Sequence, residues 1–168
     1  MNDRIFNLNS LPDLPNNLSS IASEINKEII NSYMNIKSDA LKMLNCCLEK
    51  RISKPLTIYQ LFYYIEISFK LKLLESSYMK LTEIDACKHN ICMLMKHLKD
   101  IMDINFSGFM HRLKKIKNKD GITVNFLHYY DFKYNREFNS SNLIFDSELT
   151  EDDINQIKDV IKWLNTNV

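Results

Sequence analysis

The segment FYYIEISFKLKLLESSYM, residues 62–79, decides the fold of this 168-residue chain. Its large apolar residues recur at helical spacing on more than one face. Together with Ile58 and Leu61 just before the segment, they form one stripe of Ile58, Phe62, Ile65, Phe69 and Leu73, with Leu61, Tyr64, Leu71 and Leu74 around much of the remaining surface. A helix that is apolar nearly all round belongs in the middle of a bundle. The sequence therefore predicts a central helix over about residues 56–80.

Further helices are predicted on both sides of this segment, because the chain has only two glycines and three prolines. A first helix begins at Ser19 or Ser20 and ends before Pro55, which breaks the chain. A third starts near Thr82 and a fourth covers residues 106–117. The last is capped by Thr150. The apolar stripe of the first helix is Ile21, Ile25, Ile29, Tyr33, Ile36, Ala40, Met43 and Cys47, and that of the third is Ile84, Cys87, Ile91, Leu94, Leu98 and Ile101.

The predicted fold class is all-α, a helical bundle of four to five helices. Residues 1–18 contain two prolines and are expected to form an extended N-terminal arm, and residues 19–168 a single bundle domain. After residue 117 the apolar period changes to two, at Ile122, Val124 and Phe126. We therefore expect a short extended segment or β-ribbon before the last helix, with residues 143–145 as its partner.

Composition excludes several classes of function. The formal net charge is +1, so nothing in the whole-molecule charge demands nucleic acid or a membrane as partner. No apolar run is long enough to span a bilayer, and the N-terminus lacks the pattern of a secretory signal. A cytoplasmic protein with reduced thiols is expected. Glycine-rich phosphate loops and zinc-protease motifs are missing, so no cofactor is expected.

A zinc site is not expected either, although Cys87, His89, Cys92 and His97 lie close together in the sequence. On one continuous helix these side chains point in different directions and cannot form a tetrahedral set. Cys87 and Cys92 are interpreted as small core residues.

Glu66 and Lys70 form a charged pair within the predicted central helix. Their i,i+4 spacing, with the acid first, suits an intrahelical salt bridge. One interpretation places the pair on a narrow face that reaches solvent. The other places it in a polar seam that lines a site inside the bundle or between two copies.

Two further segments contain residues suited to RNA or a partner. One segment is a run of cations made of Arg112, Lys114, Lys115, Lys117 and Lys119. These cations suit contacts with phosphates, or they form the solvent-exposed face of an amphipathic helix. Downstream, the segment NFLHYYDFKYNREF contains His128, Tyr129, Tyr130 and Arg136. Its aromatic residues suit base stacking, a protein interface or closure of the core. His128 is the best acid–base candidate.

Three stretches resemble the HEPN superfamily (higher eukaryotes and prokaryotes nucleotide-binding). YYIEISFKLKLL is similar to its central helix, in which an acidic residue and a lysine recur. KHNICMLMKHL resembles the start of its next long helix, which often opens with glycine, histidine and a polar residue; Lys88 stands here in place of the glycine. FLHYYDF is similar to an Arg-Tyr-Pro-like segment before the last helix. The likeness spans roughly residues 20–165.

This resemblance implies a homodimer whose central helices line an RNA-facing cleft, in a bacterial defence or toxin–antitoxin system. Glu66, Lys70 and His89 would belong to that cleft. Active members have an arginine followed four to six residues later by a histidine, and none of the four arginines here has one. We therefore expect RNA or a protein partner to be bound without cleavage. If the chain is an enzyme, it is a metal-independent endoribonuclease that uses His128 with Arg136 or Arg112.

A hypothesis from another class is a protein-interaction bundle without nucleic-acid chemistry, of the Bcl-2-like kind. Its groove would accept a partner helix, and residues 126–138 would form the contact surface. The neutral net charge agrees with this alternative.

Overall fold

A computed structural model describes residues 16–76, 78–117 and 148–168, with side chains from residue 23 onward. Six α-helices and no strand occur in these residues, so the predicted all-α bundle is confirmed. The helices are α1 (Asn16–Glu49), α2 (Lys54–Ser76), α3 (Leu81–Ala86), α4 (Ile91–Met102), α5 (Ser107–Leu113) and α6 (Glu151–Asn167). The predicted β-ribbon and most of the predicted N-terminal arm lie outside the described residues.

Helix α2 is the centre of the bundle, as its sequence predicts. It packs against α1, α3, α4 and α6, while α5 packs against α6. Fourteen of its 23 residues are buried. Among the described residues, no helix is long and apolar enough to cross a membrane.

The junction of α1 and α2 differs from the prediction at Pro55. This proline lies in the first turn of α2, where its missing N–H costs nothing, instead of ending the first helix. Helix α1 ends because Arg51 adopts the left-handed conformation, with φ of 49°. The N–H of Ile52 then donates to the carbonyl of Cys47 at 3.0 Å, which satisfies an unpaired carbonyl at the helix end.

The predicted third helix is two helices. Lys88 has φ of 49°, which ends α3, and Asn90 caps the new helix α4 by accepting a hydrogen bond from Met93 N at 3.0 Å. Cys87 is buried as predicted, but Cys92 is exposed, so its assignment to the core is wrong. The periodic spacing of apolar residues continues across the break, so this spacing alone predicts one continuous helix.

Helix α1 begins at Asn16, ahead of the predicted start at Ser19 or Ser20. Its buried face is also displaced from the predicted stripe. Ala40, Leu44, Cys47 and Leu48 are buried, whereas Ile25, Ile36 and Met43 are 46%, 38% and 55% exposed. Part of the apolar stripe of α1 therefore faces solvent.

An aromatic cluster joins α2, α5 and α6. Phe69 packs edge-on against Phe106 and Phe109, with ring centroids 5.5 Å apart in both pairs, and Trp163 lies 5.1 Å from Phe109. Gly108 allows the close approach of Trp163, because a Cβ at this position would lie 3.2 Å from the indole nitrogen. Short α5 is thus held by ring contacts on both sides.

Candidate functional site

The charged residues that the sequence predicts within the central helix form a buried ionic cluster, made of Glu66, Lys70 and His89. Lys70 Nζ lies 3.0 Å from Glu66 Oε1, and His89 Nδ1 lies 2.9 Å from both carboxylate oxygens. The side chains of Glu66 and Lys70 are 2% and 9% exposed, and that of His89 is 20% exposed. The carboxylate therefore has two basic partners and little water.

The turn between α3 and α4 brings His89 to this carboxylate. Left-handed Lys88 ends α3 directly before His89, and Asn90 starts α4 directly after it. The imidazole thus extends from the turn between α3 and α4 to Glu66 of α2. A continuous third helix, as the sequence predicted, has no such turn, so the break is what allows the contact.

Polar side chains from α1 and α3 lie beside the cluster. Burial raises the pKa of Tyr33, and the negative charges of Asp85 and Glu66, together with a hydrogen bond to Asp85, raise it further. Burial also raises the pKa of the Cys87 thiol, although the positive charge of Lys70 opposes this shift. Four elements therefore meet here: α1, α2, α3 and the α3–α4 turn.

The geometry of the cluster suits orientation of an imidazole. An ionised carboxylate can only accept hydrogen bonds, so the Nδ1–H group of His89 is the donor and Glu66 is the acceptor. Fixing one ring nitrogen in this way determines the tautomer and the direction of the ring. Lys70 compensates the negative charge that remains on Glu66. The arrangement holds α4 against α2 through charge-assisted hydrogen bonds.

Of the two interpretations of Glu66 and Lys70, the solvent-exposed face is wrong, whereas a polar seam inside the bundle agrees with their burial. They are not on a solvent-exposed face, because both are buried. They are also buried within a single chain, so no second copy is needed to cover them. The sequence missed the contact with His89, which lies 23 positions away, although all three residues were chosen as candidates.

The other candidate residues are separate from the cluster or outside the described residues. Arg112 is half-buried and donates from Nη1 to the carbonyl of Gly108 at 2.9 Å, while Lys114 and Lys115 are exposed just after α5. The remaining four lie outside the described residues; they are His128, Tyr129, Tyr130 and Arg136. No group of metal ligands occurs in the described part of the chain.

A groove between α1 and α2 was not predicted. It has a volume of about 390 Å³ and is lined by Ile36, Asp39, Ala40 and Met43 from α1 and by Tyr59, Gln60 and Tyr63 from α2. Its apolar lining and the exposed Met43 suit contact with another apolar surface. The one sequence feature that could have indicated this groove is the apolar stripe of α1, which is wider than α2 can cover.

Replacing Lys88 by glycine tests the strained turn. The left-handed conformation costs a residue with a Cβ about 1–2 kcal/mol, whereas glycine adopts it freely and loses more freedom on folding. We expect Lys88→Gly to raise the free energy of unfolding by about 0.5–1 kcal/mol in urea denaturation. Lys88→Ala is the matched control: it removes the exposed side chain but keeps the Cβ, and so should not stabilise. Equal effects of both variants would contradict the backbone argument.

Comparison with known proteins gives no relative. No protein-family model, no curated protein and no solved structure matches the chain.

Proposed function

We propose that the chain is a HEPN-like domain that binds RNA or a partner protein without cleaving RNA, in a bacterial defence or toxin–antitoxin system in the cytoplasm. The observation that supports this most is the contact of Glu66 with Lys70 and His89. These are the residues through which two separate stretches of the sequence resemble the family. If the resemblance were due to chance, we would not expect the acidic residue of one stretch to contact the histidine of the other.

The conformation of Lys88 also supports the proposal. The family often has glycine where this chain has Lys88, and Lys88 occupies the left-handed region, at φ of 49°, which glycine prefers. The left-handed backbone at this position is a physical reason for the family to have glycine there. Lys88 can take the same conformation, but it does so at a cost in folding free energy.

The absence of cleavage is proposed from the sequence. None of Arg4, Arg51, Arg112 and Arg136 is followed by a histidine at the spacing of the active family members. His89 is engaged by Glu66 and is mostly buried, so it is suited to positioning α4. Incubation of total RNA with wild type and His128→Ala at micromolar protein should yield the same uncleaved pattern. Cleavage by wild type that is lost in His128→Ala would instead support an unorthodox ribonuclease.

RNA binding is expected to depend on the cations after α5. Because phosphate contacts dominate affinity and are weakened by salt, Lys114→Ala/Lys115→Ala should lower RNA affinity about 10-fold at low ionic strength and flatten its salt dependence. Gel shifts across a salt series provide the measurement. The matched control is Lys158→Ala/Lys162→Ala, which removes two exposed cations from α6. Equal losses from both double variants would indicate only a general charge effect.

A second candidate function is protein binding without RNA, and the apolar groove between α1 and α2 favours it. Affinity capture from lysate, with and without nuclease treatment, separates the candidates. If wild type shifts no RNA at micromolar concentration and its captured partners survive nuclease, the RNA proposal is refuted and the second candidate is supported.

A further inference from the structure

The groove between α1 and α2 combines a largely apolar lining with one acidic side chain. Among the described residues that line it, Asp39 is the one that carries a charge. Its side chain is 73% exposed, so the carboxylate is accessible to a ligand in the groove. The groove volume of about 390 Å³ lies within the range of ordinary ligand pockets, about 300–1,000 Å³. A ligand that fits this groove should therefore be largely apolar and carry a positive charge.

Two tyrosines bring aromatic rings to the same groove. Tyr59 and Tyr63 are i,i+4 neighbours, so their side chains lie on one face of α2. Ala40 lies nine residues before the end of α1, and Tyr63 lies nine residues after the start of α2. Because a short turn joins these two packed helices, Tyr63 lies at about the level of Ala40 and its neighbour Asp39. The carboxylate and an aromatic ring therefore line the groove at the same level, from opposite helices.

We propose that this groove binds the side chain of an arginine of a partner protein. A guanidinium group is planar, stacks on aromatic faces and donates two parallel hydrogen bonds to a carboxylate. The rings of Tyr59 and Tyr63 and the carboxylate of Asp39 match these two properties. The amide oxygen of Gln60 is an acceptor for a further N–H of the guanidinium group. The aliphatic stem of the arginine would lie along apolar Met43.

Two other ligands match the groove less well than arginine. A lysine ammonium group is compact and strongly hydrated, and it has no plane to stack on the rings of Tyr59 and Tyr63. A guanine base can stack and donate to a carboxylate, but the phosphate of its nucleotide brings negative charge towards Asp39. The charge of the described lining thus favours a protein cation over RNA in this groove.

Lys42 is the cation that the arginine would displace. Its Nζ lies 3.0 Å from Asp39 Oδ1, and the two side chains are 74% and 73% exposed. Such an exposed pair contributes little free energy, so a cation that also stacks on aromatic rings can replace Lys42 at the carboxylate. Removal of Lys42 should therefore strengthen the binding of arginine, which a merely structural role of Asp39 would not explain.

The inference rests on the protein-binding part of the proposed function, because it names a side chain that the partner presents. Its test uses an isolated arginine derivative and needs no partner. A failed titration would refute the arginine site and leave RNA gel shifts and partner capture unaffected. Absence of any captured partner, together with a positive titration, would count against protein binding and not against the site.

Titration of the purified chain with N-acetyl-arginine amide, followed by two-dimensional nuclear magnetic resonance, tests the proposal. Backbone amide signals of residues 36–43 and 59–63 should shift, with a dissociation constant on the order of 1 mM for so small a ligand. N-acetyl-citrulline amide keeps the shape of arginine without its charge and should bind about 10-fold more weakly. Guanosine monophosphate is the probe for a nucleotide and should shift these signals less than the arginine derivative.

Variants of the groove identify the groups that bind. Asp39→Asn should weaken binding of the arginine derivative about 10-fold, whereas Asp100→Asn, which neutralises an exposed acid on α4, should not change it. Tyr63→Leu should weaken binding about 3-fold, and Tyr63→Phe, which keeps the ring, should not. Lys42→Ala should tighten binding about 2-fold. Circular dichroism checks that each variant remains helical.

Four results would each overturn the arginine site. They are absence of shifts with the arginine derivative, equal binding of the citrulline derivative, equal losses in Asp39→Asn and Asp100→Asn, and weaker binding in Lys42→Ala. Stronger shifts of the same signals by guanosine monophosphate than by the arginine derivative would assign the groove to a nucleotide and also overturn the proposal.

Discussion

Glu66→Gln is expected to lower the free energy of unfolding by about 3–5 kcal/mol. The substitution keeps the size of the side chain but removes the negative charge that Lys70 and His89 share. Lys70 would then hold a buried ammonium group 9% exposed to water with no carboxylate beside it. Leaving one partner of a buried ion pair uncompensated costs far more than an exposed pair contributes. Urea denaturation at neutral pH measures the loss.

A second substitution separates the charge effect from a packing effect. Lys70→Met replaces the ammonium by an apolar group of similar length, so Glu66→Gln/Lys70→Met contains no buried, unpaired lysine. We expect the double variant to be more stable than Glu66→Gln by at least about 1 kcal/mol, since residues in contact do not act additively. If the double variant were the less stable one, the argument from an unpaired charge would be wrong.

The exposed pair of Asp39 and Lys42 supplies the control. These side chains are 73% and 74% exposed and lie 3.0 Å apart on one helix, so they resemble Glu66 and Lys70 in chemistry but not in burial. Asp39→Asn should change stability by less than about 0.5 kcal/mol. A loss comparable with that of Glu66→Gln would show that burial does not determine the effect.

Local sequence patterns predicted α2 and α6 well, because the features that determine these helices lie within their own residues and their caps. Helix α2 is apolar on nearly every face, which only a central position satisfies. Helix α6 begins where Thr150 and Asp153 form a capping box, as their spacing predicted. Such features need no knowledge of the neighbouring helices.

Features that depend on contacts between helices were not predicted from the sequence. The break at Lys88 is invisible to periodicity because Ile84, Cys87 and Ile91 continue the helical spacing across it, and no glycine or proline marks it. Asn90 ahead of an apolar run was the one local indication of a new helix start.

The same limit applies to the candidate site and to α1. Glu66 and His89 were both chosen as candidates, but a single sequence does not show that residues 23 positions apart touch. The apolar stripe of α1 was found, yet which part of it becomes buried depends on where α2 crosses it. That crossing leaves Ile25, Ile36 and Met43 uncovered.

Asp153→Asn is expected to lower the free energy of unfolding by about 3 kcal/mol at neutral pH. Asp153 joins the start of α6 to the start of α2: its Oδ1 lies 2.7 Å from Lys54 Nζ, and the two side chains are 10% and 8% exposed. Its Oδ2 also accepts hydrogen bonds from the Thr150 hydroxyl at 2.7 Å and the Thr150 N–H at 3.1 Å. Asparagine keeps part of the cap but leaves Lys54 without a counter-charge.

The stability difference between wild type and Asp153→Asn should disappear in acid, because the pKa of Asp153 is lowered in the folded protein. Burial alone would raise this pKa, but hydrogen bonds from Lys54 and Thr150 and the positive charge of Lys54 outweigh burial. A folded pKa below the ordinary 3.8 means that the unfolded chain takes up the proton first as the pH falls. The stabilisation is therefore complete well above pH 3.8 and is lost as the pH falls through 3.8 to the lower folded value.

Urea denaturation of wild type and Asp153→Asn at pH 7 and again near pH 3 should show a stability difference that shrinks as the carboxylate is protonated. Asp152→Asn is the control, because Asp152 is exposed in the same first turn and accepts a hydrogen bond from the side-chain amide of Gln156. It should cost less than about 0.5 kcal/mol at either pH. A difference for Asp153→Asn that stays constant with pH would mean that packing, and not the charge on Asp153, joins α6 to α2.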